Sequence, residues 1–86
     1  MNTFQLTVSS PDGNAFKGEV ARLSVRGLEG DLAVMAGHIP VLTVVKPGEI
    51  HITEPDGTVL RGQTGGGLLT VGQDGTVLLG SLKLEK

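Results

Sequence analysis

Apolar and polar residues alternate with a period of two along most of the chain. In "TFQLTVS" the apolar positions are Phe4, Leu6 and Val8, and in "EIHIT" they are Ile50 and Ile52. Alternation over four to eight residues is typical of a strand that buries one face. "VARLSVR" and "DLAVM" repeat the pattern, "TVLRG", "LLTVG" and "TVLLG" follow, and "SLKLEK" still alternates. We therefore expect a chain of short, half-buried strands.

One run departs from alternation. "VLTVV", residues 41–45, is apolar at four of its five positions. A nearly continuous apolar run is typical of a strand covered on both faces. We therefore expect this strand to be buried on both sides.

Turn signals separate the apolar runs. Asp-Gly pairs occur at 12–13, 56–57 and 74–75, and the chain has 14 glycines. Asp-Gly tolerates the positive φ angles of tight turns. No window shows apolar residues at helical spacing. This punctuation predicts an antiparallel sandwich or barrel, and 86 residues suffice for one domain.

Composition excludes several classes of function. The net charge is −2, the seven basic residues are scattered, and there are two aromatic residues, whereas nucleic-acid surfaces need basic patches and often stacking rings. Without cysteine, neither a disulfide nor a thiolate metal site can form. No apolar run approaches about 18 residues, so we expect no membrane insertion. The start of the sequence has no signal-peptide pattern.

Neither histidine lies in a catalytic or metal-binding motif. A catalytic histidine needs a nucleophile and an orienting carboxylate, and the sequence has neither a G-x-S-x-G elbow nor an H-E-x-x-H motif. His38 follows Gly37 and precedes Ile39-Pro40, which suggests a structural or interface role on a bend. His51 lies on the polar side of "EIHIT", where a solvated residue is expected. We predict no catalytic residue, no metal ligand and no cofactor.

Two glycine-containing stretches each allow a functional and a structural interpretation. "GQTGGGLLTVG" leads into a strand, whereas phosphate-binding loops open a helix, so its glycines indicate a bulge or a close backbone approach. Glu29 and Asp31 flank Gly30 on a predicted loop. These carboxylates form either a solvated acidic tip or a docking contact for a basic loop.

A carrier module is the alternative function. Biotinyl and lipoyl carrier domains are all-β, have about this length, and present one modified lysine at a hairpin tip. Lys46 lies at a predicted tip in "VVKPGEI". Its Val-Lys-Pro context differs from the Met-Lys-Met or Asp-Lys-Ala context of those carriers.

The stretch "EGDLAVMAGHIPVLTVVKPGEI" resembles the signature of the N-terminal domain of the F-type ATP synthase epsilon subunit. Nearly the whole chain follows the family order, although Ala33 and Ala36 stand where the family usually has Gly and Pro. The matching residues in the stretch are Glu29, Gly30, Gly37, His38, Pro40, Leu42, Thr43, Pro47 and Gly48. The landmarks outside it are Pro11, Phe16, Gly18, Gly66, Gly67, Val71, Val77 and Leu79.

The resemblance implies a flattened antiparallel β-sandwich of about ten short strands. It further implies a non-catalytic rotor subunit of the central stalk, which couples the gamma subunit to the membrane c ring for proton-driven ATP synthesis. Such a subunit would be peripheral on the cytoplasmic face of a bacterial inner membrane.

The resemblance also implies residue roles. The residues expected to dock on the c ring are Glu29, Asp31, His38 and Leu42. The expected turn residues are Gly30, Gly37, Pro40, Pro47, Gly48, Gly66 and Gly67. For the gamma contact, two candidates stay unranked: Arg22, Ser24 and Arg26, or the strands "EIHIT" and "TVLRG".

The family normally continues into a C-terminal helical hairpin linked in many members to ATP binding and to inhibition of ATP hydrolysis. This sequence ends at Lys86. We therefore expect one domain over residues 1–86, without a C-terminal helical domain, without ATP binding and without hairpin-based inhibition.

Overall fold

A computed structural model of the protein describes residues 3–11, 13–28, 30–37, 40–72 and 75–84. These residues contain no helix. They form ten strands: β1 (Phe4–Ser10), β2 (Gly13–Val20), β3 (Arg22–Gly27), β4 (Gly30–Met35), β5 (Val41–Val45), β6 (Gly48–Thr53), β7 (Val59–Thr64), β8 (Gly67–Gly72), β9 (Gly75–Gly80) and β10 (Lys83–Leu84). The all-β prediction and the expected number of strands are confirmed.

The strands form one continuous sheet that folds back on itself. Its order is β10-β7-β6-β3-β5-β8-β9-β1-β2, and β4 pairs with β3. The sheet bends between β3 and β5, which share a single register pair, Gly27 with Val45. We call β4-β3-β6-β7-β10 the first half and β5-β8-β9-β1-β2 the second half.

The core lies between the two halves, as the alternation predicts. Leu6 and Val8 of β1 and Ile50 and Ile52 of β6 are fully buried. Apolar residues from both halves form one cluster with them: Val20, Leu23, Val25, Val34, Val45, Leu69, Val71 and Leu78. Burial of these side chains is the main favourable contribution to folding, at about 1.5–3 kcal/mol for each Val, Leu or Ile.

The alternation of apolar and polar residues does not indicate strand β2, which the structure contains. Among the described strands it pairs only with β1, and it forms one end of the sheet order. Of its eight residues only Val20 is buried, and Phe16 and Gly18 are half-buried. An edge strand that covers little of the core has little need for an apolar face, so its sequence carries a weak signal.

One pairing differs from the antiparallel expectation. Strands β1 and β9 run parallel, with Leu6 opposite Thr76 and Ser9 opposite Leu79. Every other pairing among the described residues is antiparallel. Parallel neighbours need a long connection, and the seven strands between β1 and β9 provide it.

Among the described residues, no helix is long and apolar enough to cross a membrane. The same part of the chain contains no group of three His, Asp or Glu side chains arranged to hold a metal ion.

Candidate docking surface

Strand β5 exposes apolar side chains on its outer face. Val41, Thr43 and Val45 point toward the core, whereas Leu42 is 65% exposed and Val44 is 44% exposed. The expectation of a strand covered on both faces is therefore wrong. The strand belongs to the outer layer of the second half, and no described element packs on its outer side, so only one of its apolar faces is buried.

The exposed apolar surface continues across β8 and β9. Leu68 lies opposite Val44 on one side and opposite Leu79 on the other. In the next row, Thr70 of β8 lies between Leu42 of β5 and Val77 of β9. Neighbouring strands are about 4.8 Å apart, so these side chains are close neighbours. We call this surface the apolar face: Leu42, Val44, Leu68, Val77 and Leu79.

The apolar face has a polar border on β1 and β2. Thr7 lies beside Val77, and Ser9 lies beside Leu79. Lys17 of β2 is exposed opposite Thr7. An apolar centre with a polar rim is the anatomy of a protein–protein interface. None of its five residues is titratable, so the face can bind a partner but performs no acid–base chemistry.

Apolar residues at consecutive positions are the signal for this face. Leu68 and Leu69 are adjacent, as are Leu78 and Leu79, although a strand needs only every second residue for one core. In both pairs one residue is fully buried and the other is exposed. Such runs predict either burial on both faces or an open docking face, and the sequence alone does not separate the two. Four of the face's residues were not predicted as site residues: Val44, Leu68, Val77 and Leu79.

The predicted c-ring residues are described only in part. Glu29 and His38 lie outside the described residues. Asp31 is exposed near the start of β4 and lies opposite Arg26 of β3. Leu42 belongs to the apolar face. The structure therefore places Asp31 and Leu42 on the outer sides of different halves.

A cavity opens between β4 and β5 at this end of the molecule. Its volume is about 550 Å³, and Leu28, Asp31, Leu32, Val41 and Thr43 contribute to its walls. Asp31 thus lines the same cavity as Val41 and Thr43, which precede and follow Leu42 in the sequence. Leu28 is 57% exposed at the turn between β3 and β4, which adds an apolar side chain beside this acidic residue.

The outer face of the first half is polar and charged. Ser24, His51 and Arg61 form one row across β3, β6 and β7. Arg22 and Arg26 are exposed on β3, one row to either side of Ser24. Both unranked candidates for the gamma contact belong to this half, because "EIHIT" lies in β6 and "TVLRG" in β7, which follow β3 in the sheet order. A second cavity, of about 450 Å³, lies along it.

One ion pair lies on this polar face. His51 Nε2 hydrogen-bonds the carboxylate of Glu49. The two residues are two positions apart and lie on the same side of β6. That hydrogen bond, the charge of His51, and the guanidinium groups of Arg61 and Arg26 hold the pKa of Glu49 below its usual range. The predicted polar position of His51 is therefore correct, with a carboxylate as its partner.

The predicted turn residues lie at strand ends or between strands. Gly66 has a φ of +91°, and a Cβ there would lie 2.8 Å from the carbonyl oxygen of Val45 and 3.2 Å from Pro47. Only glycine fits such a close approach with a left-handed φ. The other residues of this set are Gly30, Gly37, Pro40, Gly48 and Gly67.

Lys46 does not lie at a hairpin tip. Strands β5 and β6 do not pair with each other, and both run antiparallel to β3. The amide N–H of Lys46 donates to the carbonyl of Arg26 at 2.8 Å, which holds this link against β3. The predicted tip position is therefore wrong, and the geometry lacks the protruding turn that a carrier lysine requires.

The chain matches the family model described as "ATP synthase, Delta/Epsilon chain, beta-sandwich domain" over residues 3–81. Two solved structures have similar folds. One is a chain of the Euglena gracilis mitochondrial ATP synthase, in a structure of OSCP, F1 and c-ring. It has a TM-score of 0.88 and 22% identity, and the match covers 95% of this chain and 53% of that one.

The other belongs to the Tetrahymena thermophila mitochondrial ATP synthase, in a structure of the central stalk and c-ring. It has a TM-score of 0.74 and 18% identity, with 95% of this chain and 65% of that chain covered. This chain therefore spans between half and two thirds of the length of these two structural relatives. At these identities the likeness concerns the fold.

Proposed function

Because this chain belongs to the family of the ATP synthase delta/epsilon chain β-sandwich domain, we propose that it is a non-catalytic subunit of the central stalk of an F1Fo ATP synthase. In this role it joins the gamma subunit to the c ring and turns with them. Transmission of torque requires a stiff body with two attachment points. Two halves of a sheet around one shared core provide such a body.

The apolar face carries the proposal and is the attachment point for gamma. Five side chains, exposed by 36% to 65%, form a continuous surface on three adjacent strands. Contiguous exposed apolar patches rimmed by polar residues are typical of protein–protein interaction sites. We assign the gamma contact to this face rather than to either of the two unranked candidates, because burial of apolar area contributes more to stable association than exposed charges do.

The end of the molecule around Asp31 is the proposed attachment point for the c ring. Asp31 is exposed beside the opening between β4 and β5, with Leu28 nearby. The c-ring loops are basic in the resembling family, so an acidic residue here gives charge complementarity. Exposed ion pairs contribute about 0.2–1 kcal/mol each and mainly fix orientation and rate of assembly.

The proposed location follows from these attachments. The subunit is held at the membrane through the c ring, without inserting into the lipid itself. In a bacterium this is the cytoplasmic face of the inner membrane, and the coupled reaction is proton-driven ATP synthesis. Over residues 1–86 we propose one β-sandwich domain that does not bind ATP.

The gamma contact is tested by co-purification of variants with the gamma subunit. Leu79→Glu replaces an apolar residue, 51% exposed, on the apolar face, and Val59→Glu replaces one equally exposed, at 52%, on the other half. We expect the first to lower recovery of the complex by more than about tenfold, since burying an unpaired carboxylate costs several kcal/mol. The second should leave recovery unchanged. Equal recovery of both variants would refute the assignment.

The c-ring contact is tested in the assembled enzyme. Asp31→Arg should weaken assembly or coupling of the F1 sector to the c ring while the domain stays folded. Glu19→Arg makes the same change of charge at an exposed site on β2 and serves as the control. Normal complex recovery and normal proton pumping in the Asp31 variant would exclude this residue from the contact.

A further inference from the structure

The outer face of the first half carries cations that the proposed function leaves unused. Three rows of side chains cross this face. The row nearest the β3–β4 turn contains Asp31 and Arg26 opposite each other, and Glu49, whose pKa is held down in part by Arg26. Two carboxylates therefore balance the cations of this row, which also includes Gln63 and Lys83.

The other two rows contain arginines and, among the described residues, no carboxylate of their own. Arg61 lies in the row of Ser24 and His51, and Arg22 lies in the row of Thr53. Within the described part of the chain, neither arginine has a carboxylate within 4.0 Å, since the ion pair found there joins His51 to Glu49. The carboxylate on which Arg61 acts, that of Glu49, is already hydrogen-bonded to His51.

The register fixes the spacing of these two arginines. They stand two strands apart and one row apart on the same face. With strands about 4.8 Å apart and about 6.7 Å between rows, their Cα atoms are about 12 Å apart. Both side chains are exposed, so both can reach groups in solution.

Exposed apolar side chains flank Arg22. Met35 lies directly opposite Arg22 on β4, and Val59 lies beyond Thr53 on β7. They are 53% and 52% exposed. A small inorganic anion would make no use of these two side chains, whereas a polypeptide with an apolar residue between acidic ones would cover them.

We propose that this basic face, formed by Arg22, His51 and Arg61 with Met35 and Val59 at its border, docks an acidic polypeptide segment. The segment places two carboxylates about 12 Å apart on the arginines and an apolar side chain on the border. The choice of an acidic partner rests on charge complementarity, because the whole chain has a net charge of −2 while Arg22 and Arg61 place two positive charges on these two rows. This surface lies on the opposite half from the apolar face, so both can be occupied at once.

The test uses a fluorescein-labelled 20-residue peptide with Glu at every second position and apolar residues among the others. A matched peptide has Gln in place of Glu. At 25 mM NaCl the acidic peptide should bind the chain saturably in fluorescence anisotropy, and the Gln peptide should not. Raising NaCl to 250 mM should weaken binding, because the Debye length falls from about 20 Å to about 6 Å.

Variants locate the binding face. Arg61→Glu and Arg22→Glu should each weaken binding by about tenfold, since like charges in contact cost one or more kcal/mol. Lys17→Glu, an equal change of charge on β2, should change binding less than twofold. Arg61→Gln and Arg22→Gln remove the charge without reversing it, so they should weaken peptide binding by a smaller factor. Thermal unfolding of each variant shows whether the charge reversals disturb the fold.

Three outcomes would overturn the proposal. Equal weakening by Lys17→Glu would make the attraction a property of net charge. Peptide-induced amide shifts in NMR spectra that fall on β8 and β9 rather than on β3, β6 and β7 would place binding on the apolar face. Saturable shifts of the same residues by inorganic phosphate, with an affinity equal to that of the peptide, would make the surface a small-anion site.

Discussion

Glu49 and His51 show how strand geometry selects partners. Residues two apart on a strand leave it on the same side, so these side chains meet above β6 and hydrogen-bond. Arg61 and Arg26 add positive potential from the neighbouring strands. The alternation in "EIHIT" predicts the shared face, whereas the arginine neighbours depend on a register that the sequence does not reveal.

The lowered pKa of Glu49 predicts a pH dependence. Its usual value is 4.5, and a carboxyl group whose folded-state pKa is depressed stabilises the fold above its unfolded-state pKa. This contribution is lost as pH falls from about 4.5 through the lower folded-state value. His51→Gln should raise the pKa of Glu49 toward its usual value, as followed by ¹³C NMR of the side-chain carboxyl. An unchanged titration would exclude the His51 contact as the main cause.

Two glycines on β8 should respond very differently to alanine. A Cβ at Gly67 would lie 2.0 Å from the carbonyl oxygen of Leu79, whereas at Gly72 the nearest atom is 3.8 Å away. We expect Gly67→Ala to lower the free energy of unfolding by at least about 2 kcal/mol, because backbone must shift. Gly72→Ala should change it by less than about 1 kcal/mol. Urea unfolding measures both, and equal effects would contradict the close approach at Gly67.

At the scale of the element, strands with one polar face were the easiest to predict. Ile50 and Ile52 of β6 are buried and His51 is not, as alternation requires. The second half was harder, since β5, β8 and β9 carry apolar residues on both faces. Period two still places one set in the core, but it does not determine whether the other set is covered. The apolar face was therefore missed.

Adjacent leucines on β8 separate the core face from the docking face. Leu69 is fully buried and Leu68 is 38% exposed. Leu69→Ala should reduce the free energy of unfolding by about 2–5 kcal/mol, and Leu68→Ala by less than about 1 kcal/mol. In the co-purification with gamma, the ranking of the two variants should reverse: for folded protein, Leu68→Ala should lower recovery of the complex more than Leu69→Ala does. A large loss of stability from Leu68→Ala would mean that this face is not an open surface.

At the scale of the molecule, the pairing of β1 with β9 joins distant parts of the chain. Leu6 pairs with Thr76, whereas β6 and β7 pair across a short turn in which Asp56 accepts a hydrogen bond from the Thr58 amide. No local sequence signal identifies a partner about 70 residues away, so the topology could not be predicted from alternation. Non-local pairing also slows folding, because loop closure precedes the stabilising contacts.

This topology predicts where the folding transition state is structured. Ile52→Val, in the β6–β7 hairpin, should mainly slow folding, with a φ-value of about 0.5 or more. Val8→Ala, on β1, should mainly speed unfolding, with a φ-value below about 0.3, since its neighbour β9 joins late. Stopped-flow folding and unfolding in urea give both values. A φ-value near 1 for Val8 would place the distant pairing first.

During synthesis, β1 cannot pair with β9 until most of the chain has been made. Of the ten strands, β1 leaves the ribosome before the others, and Thr76, the partner of Leu6, is added about 70 residues later. At about 5–20 residues per second this takes about 4–14 s. Until then β1 has only β2 beside it, and an isolated two-stranded hairpin is marginally stable in water. The apolar side chains of β1 are therefore exposed on the nascent chain for seconds, which makes this segment a target for chaperones that bind emerging polypeptides.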